Sequence, residues 1–229
     1  MPQSKIFKKI KETKDTFSFR FEKPVNFDYK PGQYCIFKHR EGDEIISRSY
    51  SLSSSPTEDF LQITVKHVPD GKMSTFLCEK TKEGDLLNFE GPMGDYVFDE
   101  KIQKNVFVAG GVGITPFRCI IKYVMDKKLK NNIILIYGSQ NPENIIFKDF
   151  VEKCNEEENI NLFLTIDEEA EEWHNHVGFI DLEFIKEATN NKLDDKVFYL
   201  TGPPPMIIGI KVKLMKEGIK EENIKIDAW

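Results

Sequence analysis

The stretch Val106-Phe107-Val108-Ala109-Gly110-Gly111-Val112-Gly113-Ile114-Thr115-Pro116 constrains the fold more than any other part of the sequence. An apolar run suits a strand buried on both faces, the glycines that follow permit a tight turn, and Pro116 suits the first turn of a helix. Strand, glycine turn and helix in that order open a βαβ unit and call for a parallel sheet. Further apolar runs at 133–137, 162–166 and 197–200 alternate with helical stretches, the clearest of them at 115–128. The second half is therefore expected to be a Rossmann-like α/β domain with a parallel sheet.

Before that point the periodicity is different. Short runs such as Phe17-Ser18-Phe19-Arg20-Phe21, Tyr34-Cys35-Ile36-Phe37 and Leu61-Gln62-Ile63-Thr64-Val65 recur between turns at Lys30-Pro31-Gly32, Arg40-Glu41-Gly42-Asp43 and Glu83-Gly84-Asp85. A period of two at roughly regular spacing predicts an antiparallel Greek-key β-barrel. The polar stretch 99–104 separates the halves, giving a barrel domain over 1–100 and an α/β domain over 101–229. A chain of 229 residues is long enough to bury both cores.

Composition narrows the function. No apolar run approaches the length of about 18 that spans a bilayer. The opening Met1-Pro2-Gln3-Ser4-Lys5 has neither a signal-peptide core nor an Arg-rich transit pattern, so a cytoplasmic location is expected. A net charge of −6 argues against nucleic acid as a partner. Cys35, Cys78, Cys119 and Cys154 lie at least 35 residues apart and read as buried thiols rather than iron–sulfur ligands. His39, His67, His174 and His176 include one close pair without acidic-ligand spacing, and no metal site is expected.

Four segments carry chemistry. Arg48-Ser49-Tyr50-Ser51-Leu52-Ser53-Ser54 places a cation, an aromatic ring and hydroxyls on one extended segment, with Arg48, Tyr50 and Leu52 on one face. Lys66-His67-Val68-Pro69-Asp70-Gly71-Lys72-Met73-Ser74-Thr75 joins a strand to a helix start whose N–H groups are ready for an anion. The glycines 110, 111 and 113 would let a pyrophosphate approach the backbone. Thr201-Gly202-Pro203-Pro204-Pro205-Met206 again follows a buried strand and opens a helix, so two loops emerge at carboxyl ends of parallel strands and converge on one crevice. Each segment alone has a purely structural reading: a half-buried strand aromatic, a surface cation, a capping serine, a rigid helix start.

Together, in this order and spacing, the four resemble the ferredoxin–NADP reductase superfamily, and the resemblance covers essentially the whole chain. It implies that Arg48 pairs with the FAD pyrophosphate, that Tyr50 packs on the isoalloxazine ring, and that Ser49 and Ser51 line it, Ser51 near flavin N5. It implies further contacts to FAD from Lys66, His67, Val68, Gly71, Lys72, Met73, Ser74 and Thr75. Gly110, Gly111, Gly113, Ile114, Thr115, Pro116, Gly202, Pro203 and Met206 would bound the nicotinamide nucleotide. Where the family has Cys beside the nicotinamide, this chain has Thr201, which implies altered hydride positioning.

NADPH-selective relatives place Ser and Arg after the third parallel strand, whereas this chain has Asp167 and Glu168. A carboxylate accepts from ribose hydroxyls and repels a 2′-phosphate, so NADH is expected in preference to NADPH. The stretch from here to Gly178-Phe179 is similar to NADH-dependent cytochrome b5 reductases. The terminal Trp229 reads either as an aromatic lid over the flavin, as in several family members, or as a surface-packed indole. The expected activity is hydride transfer from NADH to FAD, with electrons leaving to a separate acceptor: ferredoxin, flavodoxin, a cytochrome or an oxygenase component. A slow electron-transfer subunit or a nucleotide-sensing module of the same fold is the alternative.

Overall fold

The computed structural model describes residues 3–227. By its contacts the chain divides into two compact units, Met1–Phe98 with Thr115–Lys127, and Asp99–Ile114 with Lys128–Trp229. Among the described residues no helix is long and apolar enough to cross a membrane.

The first unit is built on six antiparallel strands: β1 (Gln3–Lys11), β2 (Thr16–Glu22), β3 (Tyr34–Glu41), β4 (Glu44–Ser51), β5 (Phe60–Lys66) and β6 (Leu86–Met93). Their order is β4-β3-β6-β1-β2-β5. Leu52, just past β4, forms an antiparallel bridge to Ile63 of β5, which joins the two edge strands and closes the barrel. Alternation turns Phe19 and Phe21 of β2 inward. Phe21, Phe37 and Phe89 meet at the centre with ring centroids 5.4 to 5.8 Å apart. After β5 the chain forms the short helix α1 (Lys72–Thr75), which runs on into a single π-type turn at Phe76–Lys80.

Helix α2 (Thr115–Lys127) follows the first strand of the α/β half in sequence, as expected, but packs on the barrel. Its contacts place it in the first unit. Cys119 is buried in the barrel's core cluster, Arg118 hydrogen-bonds Ser53 and Glu58, and Thr57 donates to Asp126. A βαβ signature fixes the order of elements along the chain, not the surface on which a helix buries its apolar face.

The second unit holds β7 (Lys104–Gly110), β8 (Asn132–Ser139), β9 (Ile160–Ile166), β10 (His176–Val177), β11 (Val197–Thr201) and β12 (Ile224–Asp227), all parallel. With them come α3 (Lys148–Cys154), α4 (Leu182–Ala188) and α5 (Pro204–Lys216). The order β10-β9-β8-β7-β11-β12 runs outward from β7 in one direction, then resumes on its other side with β11. That reversal is a topological switch point, the place where open α/β sheets bind ligands beyond the strand carboxyl ends. Val106, Val108, Phe198 and Leu200 on one face pack with Ile207, Ile210 and Leu214 of α5. Residues of the other face are equally buried, Phe107 and Tyr199 meeting edge to face at 5.1 Å. Burial on both faces explains why these strands read as unbroken apolar runs.

Candidate functional site

In the first unit, the segment expected to hold flavin is the outer end of β4. Antiparallel pairing sets Arg48 opposite Phe37 and Tyr50 opposite Cys35. Arg48 and Ser49 are exposed, whereas Tyr50 and Ser51 are half-buried. The Arg48 guanidinium donates to the neighbouring Ser47 carbonyl at 2.7 Å and otherwise faces outward. The Tyr50 ring sits edge-on to Phe37 at 5.9 Å, and burial raises its phenol pKa. Tyr50 is thereby held by the barrel core through one edge.

The segment after β5 is more tightly organised. Ser74 Oγ accepts from Val68 N–H at 3.1 Å and lies 3.0 Å from Gly71 O, so one buried hydroxyl closes the turn. A Cβ on Gly71 would stand 2.6 Å from that hydroxyl. Helix geometry leaves the N–H groups of Lys72, Met73 and Ser74 without acceptors inside the helix. Side chains nearby are committed elsewhere: Met73 is in the barrel core, Lys72 pairs with Glu44, and Lys66 pairs with Asp15 at 3.5 Å. His67 Nε2 lies 3.2 Å from Thr75 Oγ1 and 3.3 Å from Glu79. Val68 is half-exposed at 54%. An anion here would be met mainly by backbone.

In the second unit, β11 pairs with β7 so that Thr201 stands opposite Ala109, which brings both loops to the switch point. They touch. A Cβ on Gly110 would be 2.9 Å from Pro203 Cδ and 3.0 Å from Met206 Sδ. A Cβ on Gly113 would be 2.7 Å from the Thr201 carbonyl. Gly111 differs: its φ is +54° and a Cβ there would meet nothing within 4 Å. Ile114, Thr115 and Pro116 are buried behind the loop, Gly202 is buried within it and Pro203 is exposed. Thr201 is fully buried, and its Oγ1 has no hydrogen-bond partner among the described residues. A buried hydroxyl left unpaired costs about 1–3 kcal/mol and marks a site that calls for a ligand or ordered water.

Beyond β9, Asp167 N–H donates to Ser139 O at 3.0 Å, which fixes its backbone at the carboxyl edge of the sheet while its side chain stays exposed. Partial desolvation at the sheet edge raises the Asp167 pKa and the charge of Glu168 adds to it. Thr165 Oγ1 donates to Gly178 O at 2.5 Å and Trp173 Nε1 to His176 O at 2.8 Å, folding the following loop against this edge. Trp229 lies outside the described residues.

Two functional-looking residues escaped the sequence reading. Arg118 and Glu58 form a bidentate pair at 2.7 and 2.9 Å, with side chains only 8% and 11% exposed. The available signal was an arginine inside the apolar run Phe117-Arg118-Cys119-Ile120-Ile121. The four cysteines are buried and free, and burial pushes Cys35, Cys119 and Cys154 up to about 12 and Cys78 to about 11.

Residues 3–98 match the family model of the oxidoreductase FAD-binding domain, and residues 107–211 that of the oxidoreductase NAD-binding domain. The glycine betaine monooxygenase reductase subunit of Pseudomonas aeruginosa is 30% identical over 97% of this chain. The match spans 62% of that relative, and the chain covers about three fifths of the curated relatives it resembles. Among solved structures, the FAD/NAD-binding domain of nitric oxide dioxygenase from Vibrio cholerae superposes with a TM-score of 0.88 at 21% identity, covering 99% of this chain and 98% of that one. A ferredoxin–NADP+ reductase from Neisseria gonorrhoeae, with FAD and NADP bound, gives 0.84 at 23% identity, covering 99% and 97%. Over most of its length the chain therefore belongs to the oxidoreductase FAD-binding and NAD-binding domain families, one following the other, with the fold of the ferredoxin–NADP reductases.

Proposed function

We propose that this chain is an NADH-dependent FAD reductase that delivers electrons to a separate acceptor protein. The observation that carries the reading is the meeting of two glycine loops at the switch point, beside a buried Thr201 hydroxyl that lacks a partner. Gly111 leaves open space where a pyrophosphate would approach, and the Thr201 hydroxyl lies buried at the carboxyl end of β11 with its hydrogen bond unmet. In the barrel unit, the outward Arg48 and the N–H groups of residues 72–74 would hold the FAD pyrophosphate, with Tyr50 and Ser51 beside the ring system. FAD, when bound, accepts a hydride and releases electrons to one-electron acceptors. The protein's part is to orient donor and acceptor rings, which is where most of the rate advantage of such a reaction arises. The acceptor is an oxygenase component, by likeness to the monooxygenase reductase subunit.

Anaerobic stopped-flow mixing with NADH tests the activity. The visible flavin absorbance is expected to bleach at about 10 s⁻¹ or faster, in the range of ordinary enzyme turnover. Tight NADH binding with an unreduced flavin would instead indicate a nucleotide sensor.

Coenzyme choice falls to Asp167. Replacing Asp167→Ala removes a charged acceptor for ribose hydroxyls, worth about 1.5–3 kcal/mol, so the NADH KM should rise about tenfold or more with kcat little changed. The same change lifts repulsion of a 2′-phosphate, and kcat/KM for NADPH should increase. Steady-state kinetics with both coenzymes check this; an unchanged ratio removes Asp167 from the site.

A further inference from the structure

We infer that the buried Arg118–Glu58 pair is a positioning device for the flavin strand; the inference rests on the function proposed above. The guanidinium of Arg118 makes three short bonds, to Glu58 Oε2 at 2.7 Å, Glu58 Oε1 at 2.9 Å and the Ser53 carbonyl at 2.7 Å. Ser53 lies two residues beyond Ser51, on the segment that leaves β4. Glu58 Oε2 also accepts from Ser55 N–H at 2.7 Å, so the carboxylate and guanidinium together grip residues 53–58 from inside. A second attachment lies two turns along the same face of α2, where Thr57 Oγ1 donates to Asp126 at 2.6 Å and Asp126 pairs with Lys122. On its opposite side the segment is held by Leu52 N–H to Gln33 O at 3.0 Å and Ser53 N–H to Gln62 O at 2.8 Å.

Stability alone does not account for the pair. Burying two charges costs roughly what their attraction returns, and apolar replacements of similar volume are often as stable or more so. What a guanidinium adds is direction: its planar fork fits two carboxylate oxygens and a carbonyl in one geometry only. Burial alone would raise the Glu58 pKa, but the hydrogen bonds and charge of Arg118 outweigh it and hold the carboxyl below its ordinary value, so the pair stays ionised. The geometry therefore fixes the backbone immediately after Tyr50 and Ser51, and with it the placement of those side chains against the flavin ring.

The test compares holoprotein carrying Arg118→Lys with the double replacement Arg118→Met, Glu58→Met. Readouts are melting temperature, FAD content, visible circular dichroism of the bound flavin, and the anaerobic rate of flavin reduction at saturating NADH. Both variants should retain FAD, show an altered flavin dichroism and reduce at least about tenfold more slowly, about 1.4 kcal/mol in barrier. The double variant should melt no lower than wild type. Wild-type dichroism and rate in either folded variant would reduce the pair to a structural staple and overturn the inference. If the wild-type flavin is not reduced by NADH, the proposed function falls, and the dichroism comparison still decides the positioning role. The lysine variant retains a charge for Glu58 and keeps the test decisive should the double variant not fold.

Discussion

Gly113→Ala is expected to disable the nucleotide loop, while Gly111→Ala, two residues away, leaves the fold nearly intact. The Cβ of an alanine at 113 would stand 2.7 Å from both the carbonyl carbon and oxygen of Thr201 and 2.8 Å from Gly202 Cα. All three are backbone atoms of the adjoining strand end, so nothing can swing aside and β11 must move away from β7. Overpacking of this kind costs about 3 kcal/mol. In a chain of this size that lowers the melting temperature by about 6–12 °C. A displacement of the loops by even a fraction of an ångström misplaces the nicotinamide, and a loss of about a hundredfold in NADH kcat/KM is the expected scale. At position 111 the backbone is left-handed, with φ of +54°, and a Cβ meets only open space. Alanine there costs about 1–2 kcal/mol of conformational strain, and its methyl projects where a pyrophosphate would lie, so KM should rise more than stability falls. Melting curves and steady-state kinetics on the two variants separate a glycine required by packing from one required by backbone conformation and ligand approach. Equal effects of the two substitutions would sink the distinction.

The sequence was most legible where local pattern and tertiary role coincide. The run from Val106 to Pro116 has both the period of a doubly buried strand and the turn chemistry of its exit, and the structure places strand, turn and helix on those residues. The barrel strands were legible for the same reason, since period two and inward-facing phenylalanines describe one surface. The polar contacts that hold the closure were not. Ser53, Ser54 and Ser55 are a run of three small polar residues, yet all three are fully buried. Ser53 and Ser54 are satisfied by Gln62, Thr64 and Tyr29 on other strands and loops, and Ser55 by Thr57 and Glu58. Nor could pattern assign α2 to the barrel unit, because an amphipathic helix declares that it has a buried face but not what covers it. Thr201 was recognisable as a departure from the family's cysteine. That its hydroxyl is fully buried and unpaired follows from tertiary packing, which no local pattern encodes.

Lys9 carries the second large effect. Its ammonium lies over the rings of Phe17 and Phe19, at 5.1 and 5.4 Å from their centroids. It donates to the carbonyls of Cys78 at 2.7 Å, Thr81 at 2.8 Å and Leu77 at 3.4 Å. These carbonyls belong to the end of the π-type turn that continues α1, so Lys9 of β1 closes the C-terminal end of the element whose start, Gly71 to Ser74, carries the N–H groups proposed above to hold the FAD pyrophosphate. Last-turn carbonyls have no helical donors of their own, and a cation supplies both hydrogen bonds and charge complementary to the helix dipole. Lys9→Met preserves the apolar stem against the phenylalanines and removes only the ammonium, stranding the carbonyls of Cys78 and Thr81. At about 1.5–3 kcal/mol for a charge-assisted bond and with more than one lost, the barrel unit should lose about 3 kcal/mol, seen as a melting point lower by about 6–12 °C. Loosening this end lets the Gly71–Ser74 turn shift. FAD should then bind the apoprotein about tenfold more weakly in a fluorescence titration, about 1.4 kcal/mol. Lys9→Arg, which keeps the charge but cannot converge one nitrogen on three carbonyls, should recover part of the melting point. A methionine variant that melts and binds FAD like wild type would mean that the turn is held by its own packing, through the buried Leu77 and Cys78, rather than by the lysine.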